Sequence, residues 1–301
     1  MKVLICGLGA IGSIYADKIQ RYDSDSLRIL VDAQRLERYT KNPPVFNGRE
    51  LYLNYVLPHE KNFKVDLILI ATKSDGLERA VKDIKNFVHN ETLILSLLNG
   101  VASEDVIAEA YGRAHVLDAY FIGNSAVRTG RYVEHEEGNT IVFAHNEKLA
   151  QYFDKVGINY QNPPDIRRAM WLKFMLNAAS NQGSAVFHLT FGEMCASEKF
   201  MDFAKKVMAE VQALAKAEGI SNTETMIEEV IEMMRSIKPE GKTSMLQDIE
   251  AGRKTEIDIL AGTIIELGRK HGIPTPYNKV LKDLITLGLP IPSKVAAVQI
   301  V

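Results

Sequence analysis

The chain has 301 residues, enough for two domains of ordinary size. Its 36 Lys and Arg against 38 Asp and Glu leave a net charge of -2, which implies no basic face for nucleic acid or an anionic membrane. No apolar run approaches the ~20 residues that span a bilayer, and a strand-like N-terminus with no signal peptide before it predicts a cytoplasmic protein.

Met1–Cys6 reads as an apolar strand that runs straight into Gly7-Leu8-Gly9-Ala10-Ile11-Gly12. Gly7 permits a tight turn, Gly9 removes a side chain where a pyrophosphate approaches the backbone, and Gly12 lets the following helix pack on the strand. The placement after a strand and before a helix favours dinucleotide binding over a bare glycine-rich turn. Leu27–Val31, Val65–Ala71 and Thr92–Leu98 are further apolar runs of strand length, as expected in a sheet buried on both faces. Between the last two, Leu77, Ala80, Val81, Ile84 and Val88 give Gly76–Val88 a helical period. This alternation predicts a parallel, doubly wound α/β sheet of Rossmann type. Val116–Ile122 and Thr140–Ala144 add strands, with an antiparallel hairpin between them punctuated by Gly130 and Gly138. Asn162-Pro-Pro-Asp165 marks a domain boundary, giving domains 1–164 and 165–301. Beyond it the pattern is helical: Ile166–Asn181, Glu198–Glu218, Thr223–Ser236, Ser244–His271 and Tyr277–Leu287. The second domain is therefore expected to be all-α. Cys6 reads as a small buried hydrophobe in the first strand, and neither it nor Cys195 has a metal-ligand neighbour.

In an open parallel sheet, ligands lie outside the carboxyl ends of the strands. That rule selects Thr72-Lys73 and Asn99-Gly100, which end the third and fourth apolar runs. Lys73 is either a solvated loop lysine or a cofactor-side cation, and Asn99-Gly100 either turn chemistry or a ligand contact. In the first helix of the second domain, the apolar run from Trp171 is interrupted by Lys173, Asn177 and Asn181, spaced i, i+4, i+8. At about 100° per residue they occupy a stripe of roughly 80° that rises about 12 Å. Polar groups on a buried helix need partners. One reading is a hydrogen-bond ladder between helices. The sharper one is a polar wall facing a ligand, with Lys173 as a proton donor whose ammonium form is disfavoured by desolvation. Ser244-Met-Leu-Gln247 fits a capping box opening a long helix, and such a helix start also suits a carboxylate. Thr255-Glu256-Ile-Asp258 sets carboxylates among apolar residues, where a buried glutamate would need a ligand hydroxyl or Lys173 as partner.

This ordered set resembles the ketopantoate reductase (2-dehydropantoate 2-reductase) family over essentially the whole chain. The residues that carry the resemblance are Gly7-x-Gly9-Ala-x-Gly12, Thr72-Lys73, Asn99-Gly100, Trp171-x-Lys173-x-x-x-Asn177-x-x-x-Asn181, Ser244-Met-Leu-Gln-Asp248, Thr255-Glu256-Ile-Asp258 and His271-Gly-Ile-Pro-Thr-Pro-Tyr-Asn278. The resemblance implies a Rossmann domain followed by a helical domain like that of 6-phosphogluconate dehydrogenase, with the active site in the cleft between them. It implies a cytoplasmic oxidoreductase of pantothenate biosynthesis that reduces a small 2-keto acid. Lys173 would be the general acid and Glu256 would hold the substrate hydroxyl and tune Lys173. Asn99, Asn177, Asn181 and Ser244 would bind substrate. Gly7 to Gly12, Asp32, Arg35, Lys73 and Asn99 would bind the cofactor. NADPH is the family's habit. Asp32, 20 residues after Gly12, is an acid that favours NADH, while Arg35 and Arg38 beyond it would meet a 2′-phosphate.

Two departures, Gln182-Gly-Ser184 where the family usually has Pro-x-Thr, and Phe191-Gly192 where it often has Asn-Gly, motivate a second reading: a D-2-hydroxyacid dehydrogenase acting on another 2-keto acid. A third, from a different class, is a regulatory dinucleotide-binding protein without turnover, against which the joint presence of Lys173 and Glu256 argues. The apolar content of the helical domain is compatible with a homodimer.

Overall fold

The computed structural model describes residues 1–61, 63–123, 126–136 and 138–288. The end of the second predicted domain, 289–301, and three positions near the predicted hairpin, 124, 125 and 137, lie outside the described residues. Two compact units divide the chain, Met1–Ile166 and Arg167–Val301.

The first unit runs β1 (Val3–Cys6), α1 (Ala10–Tyr22), β2 (Leu27–Leu30), α2 (Ala33–Lys41), β3 (Val45–Phe46), β4 (Arg49–Glu50), β5 (Tyr55–Val56), β6 (Leu67–Ile70), α3 (Leu77–Asp83), β7 (Leu93–Ser96), α4 (Ser103–Tyr111), β8 (Ala119–Ile122), β9 (Ala126–Thr129), β10 (Tyr132–His135), β11 (Thr140–Phe143), α5 (Glu147–Val156) and β12 (Tyr160–Gln161). The main sheet is parallel, in the order β5-β2-β1-β6-β7, with Val3 opposite Leu27 on one side and Leu67 on the other. Alternation of side chains explains why its strands are apolar throughout. Val3, Ile5, Leu67 and Leu69 join Ile14, Tyr15 and Ile19 of α1 in one core. Leu4, Cys6, Ile68 and Ile70 join Ala80, Val81, Ile84 and Ile107 on the opposite face. Cys6 is buried there, and burial pushes its thiol up to about 12, an inert core residue as its strand position predicts. The expected hairpin is present as β9 and β10, paired antiparallel, and joins β3 and β4 in a second sheet.

The second unit runs α6 (Ile166–Phe187), α7 (Phe191–Ala196), α8 (Glu198–Ala217), α9 (Met226–Ser236), α10 (Ser244–Glu250), α11 (Thr263–His271) and α12 (Pro276–Leu287). Helix α6 continues to Phe187, past the expected end at Asn181, and every residue from Ala178 to Ala185 is buried. Gly183 permits this: a Cβ there would lie 2.7 Å from the Phe200 ring of α8. The long helix expected over Ser244–His271 is instead broken. Gly252 adopts φ 63°, and its neighbour Arg253 bonds back to Asp248 through both backbone (2.7 Å) and side chain (2.6 Å), which closes the end of α10. The chain resumes helical form at Ile257, with a π-helical stretch over Asp258–Gly262. The expected cap also moves by one residue. Thr243, not Ser244, is the N-cap of α10, its hydroxyl accepting from the Leu246 N–H at 3.2 Å. Among the described residues no helix is long and apolar enough to cross a membrane.

Candidate active site

The order of the main sheet reverses between β1 and β6, the place where an open α/β sheet presents a ligand crevice beyond its strand ends. The glycine loop leaves β1 at that point. Gly7 has φ 103°, and a Cβ on it would meet the Ala71 carbonyl oxygen at 2.6 Å and the Thr72 nitrogen at 2.7 Å. A Cβ on Gly12 would fall 1.9 Å from the Gly7 oxygen. Both glycines are thus required by the chain's own packing. Gly9 is different. It has ordinary extended backbone (φ -84°), and the nearest atom to a Cβ placed there is 4.0 Å away. Among the described residues nothing explains its missing side chain, whereas a phosphate approaching the backbone does. Helix α1 starts at Ala10 without a side-chain N-cap, so the first-turn N–H groups that follow Gly9 are not taken by a capping side chain. Leu8 is buried, while Ala10 and Ile11 are half-buried. These residues fit a dinucleotide.

Asp32 follows β2 and is the N-cap of α2. One carboxylate oxygen accepts from the Arg35 N–H (2.7 Å) and the other from the Arg35 guanidinium (2.8 Å). The acid and the arginine expected to compete for the ribose are therefore paired with each other. Lys73 is exposed beyond β6, and Asn99 is half-buried beyond β7 in a turn made by Gly100 at φ 100°. Thr72, whose backbone nitrogen lies against Gly7, carries a buried hydroxyl with no hydrogen-bond partner among the described residues. Just past the Asn99 turn, Glu104 is buried in the first turn of α4 and accepts from Ser103 Oγ (3.0 Å). Burial, with Asp118 and Asp105 nearby, raises its carboxyl to about 7. Sequence reading misses one cation at this end of the sheet: Arg128 of β9 donates to the Leu8 carbonyl oxygen of the glycine loop. A separation of 120 residues leaves no local signal for that contact.

In the second unit, Lys173, Asn177 and Asn181 lie along α6 as their spacing requires; the first two are half-buried and Asn181 is buried. Ser244 is exposed at the start of α10, and Glu256 is half-buried in the non-helical segment before Ile257. Asp258 is exposed and pairs with Lys282 at 2.9 Å. The two departures in sequence both turn inward. Gln182 is fully buried and donates to the Ala178 carbonyl (2.8 Å) and to Asn278 Oδ1 (3.0 Å). Asn278 in turn donates its amide to Glu210 (2.7 Å), whose carboxylate also accepts the N–H groups of Tyr277 and Asn278 at the start of α12. Phe191 is buried at the start of α7, where its N–H meets the Gly241 carbonyl at 3.0 Å.

Comparison with known proteins follows the same division. Residues 3–148 match the family model for ketopantoate reductase PanE/ApbA, and residues 165–287 match the model of its C-terminal part. The chain is similar to 2-dehydropantoate 2-reductase of Streptococcus pyogenes serotype M18, 27% identical over 299 residues, covering 95% of this chain and 97% of that one. It resembles the solved structure of a PanE/ApbA family ketopantoate reductase from Ralstonia eutropha, with a TM-score of 0.77, 27% identity, and 96% and 98% of the two chains covered. It shares its fold with a D-mandelate dehydrogenase solved with NADH and anilino(oxo)acetate, with a TM-score of 0.81, 23% identity and the same coverage.

Proposed function

The chain belongs to the ketopantoate reductase family, and we propose on that premise that it is a 2-dehydropantoate 2-reductase, reducing ketopantoate to pantoate with NADPH on the route to pantothenate. The observation that carries the reading is the stripe of Lys173, Asn177 and Asn181 on a helix otherwise largely buried. A bound nicotinamide supplies hydride to the ketone carbon. The ketone oxygen then gains negative charge, and an ammonium beside it stabilises that charge and delivers the proton. Lys173 is the donor in this reading, and Glu256 holds the substrate hydroxyl and orients Lys173. Asn99, Asn177, Asn181 and Ser244 bind the substrate's polar groups. Gly7, Leu8, Gly9, Ala10, Ile11 and Gly12 receive the pyrophosphate, with Asp32, Arg35, Lys73 and Asn99 along the rest of the cofactor.

A second reading, a D-2-hydroxyacid dehydrogenase for another 2-keto acid, draws support from Phe191 and Gln182, apolar packing and a core amide where family members often bind or shape around substrate. Purified protein supplied with ketopantoate and a panel of other 2-keto acids, each with NADPH and with NADH, separates the two by loss of nicotinamide absorbance. Turnover with ketopantoate and NADPH is expected. Turnover confined to another keto acid would establish the second reading, and none with any would leave a binding protein.

A further inference from the structure

The cofactor end of the first unit holds more positive charge than its expected residues account for. Asp32 and Arg35 neutralise each other, and both carboxylate oxygens are engaged. Each oxygen of the acid already holds a donor of Arg35, so the negative charge by which it would favour the ribose diol of NADH is met by a cation. Two other guanidinia gather beside this pair around Tyr39 of α2, which is buried. Arg38 lies 5.0 Å from the Tyr39 ring centre with Nη2 3.3 Å from the hydroxyl. Arg128 arrives from β9, donating to the Leu8 carbonyl and, through Nε, to the Gly130 carbonyl at 2.9 Å. Burial pushes the Tyr39 phenol up, but the hydrogen bond and charge of Arg128, followed by those of Arg38, outweigh it and hold the group below its usual range. Among the described residues, no carboxylate forms an ion pair with Arg38 or Arg128.

We infer that Arg128 is a specificity-determining residue that, together with Arg38, binds the 2′-phosphate of the dinucleotide and selects NADPH over NADH. The inference rests on the reading that the glycine loop holds a nicotinamide dinucleotide. Leu8 lies between the first two glycines of that loop, and Asp32 marks where the adenosine ribose is expected. A group in contact with Leu8 and with Tyr39 of α2 is therefore held at the ribose side of the loop. A guanidinium has five N–H donors in a planar fork, and Arg128 commits one to Gly130, one to Leu8 and one to Tyr39, which leaves two with their positive charge for phosphate oxygens. A phosphate monoester carries between one and two negative charges at neutral pH, enough to meet two unneutralised guanidinia. A ribose hydroxyl offers neither the charge nor the paired oxygens. The carbonyls of Leu8 and Gly130 preset the Arg128 side chain, so its ordering on binding costs less rotamer freedom.

The test is titration calorimetry of NADPH, NADH, 2′,5′-ADP and 5′-AMP with the wild-type protein and with Arg128→Ala, Arg128→Lys and Arg38→Ala. Removing charge-assisted hydrogen bonds to the phosphate should weaken NADPH and 2′,5′-ADP by roughly 10- to 100-fold in Arg128→Ala. NADH and 5′-AMP should stay within about 3-fold, since neither carries the 2′-phosphate that the guanidinium binds. Arg128→Lys keeps the charge without the fork and should fall between, which also covers the case in which the alanine variant folds poorly. Equal weakening of NADPH and NADH would overturn the inference, placing Arg128 on the pyrophosphate common to both. Unchanged binding of all four would overturn it as well. A wild-type protein that binds neither dinucleotide would instead overturn the cofactor reading on which the inference stands.

Discussion

Glu104 offers a measurement whose sign and size both follow from its surroundings. It is 4% exposed and accepts a hydrogen bond from Ser103 Oγ, while the nearby Arg113 bonds Asp118 instead. Its carboxyl is raised from 4.5 to about 7 in the fold. Below pH 4.5 the group is protonated whether the chain is folded or not, and it costs nothing. As pH rises from 4.5 to 7 the unfolded chain releases the proton while the folded chain retains it, so stability falls across that window and the full penalty is reached above it. At 1.36 kcal/mol per pH unit, the gap between 4.5 and about 7 corresponds to about 3 kcal/mol. Glu104→Gln keeps an acceptor for Ser103 and removes the titration. The variant should match the wild type near pH 4, exceed it by about 2 kcal/mol at pH 6 and by about 3 kcal/mol at pH 8. Urea denaturation followed by far-ultraviolet circular dichroism reads the two units together. Fluorescence of Trp171, the sole tryptophan, reports separately on the second. A difference that does not change with pH, or a wild type more stable than the variant at pH 8, would refute the account of why this carboxyl is raised.

The glycines of the cofactor loop should separate by function. Gly9→Ala adds a methyl that meets nothing closer than 4.0 Å among the described residues, so melting temperature should hold while dinucleotide affinity falls at least about 10-fold. Gly12→Ala drives a methyl into the Gly7 carbonyl and should destabilise by about 3 kcal/mol in thermal or chemical melts. Lys173→Ala should lower kcat by roughly two to four decades in the keto acid assay while calorimetry still detects cofactor binding, as removal of a general acid requires. Asn278→Ala strips Glu210 of a buried donor and Gln182 of an acceptor, and the Trp171-detected transition should fall by about 3 kcal/mol.

Much of this architecture is legible from the residues in order. The apolar strands of the main sheet announce themselves because both faces are buried, and the stripe on α6 because period 3.6 brings Lys173, Asn177 and Asn181 together wherever the helix lies. The break after α10 is not legible. A glycine within a helical pattern can be tolerated or can terminate it, and only the φ of Gly252 and the return of Arg253 to Asp248 decide the matter. Thr243 and Ser244 both offer a capping hydroxyl, Ser the more favoured by residue type, and the structure uses Thr243, one residue of register away. Strands β3, β4 and β5 are two residues each, too short for any period, and exist because other strands pair with them. The pairing of Asp32 with Arg35 needs only an i, i+3 spacing and is within reach of sequence reading. Arg128 on Leu8 is not, because nothing local connects a hairpin to a loop so far upstream.

The sheet order has a consequence for how the first unit is made. Strand β1 is made before the other strands of this sheet, yet it lies at the centre, with β2 on one flank and β6 on the other. Its second partner ends at Ile70, so both its edges are paired only after α1, β2, α2 and the three short strands have been synthesised. Contacts this distant in sequence close slowly, and a half-paired apolar strand is a template for association in the meantime. Substitutions that slow pairing of β6 should therefore appear first as reduced soluble yield during synthesis, before any change in the melting of the finished protein.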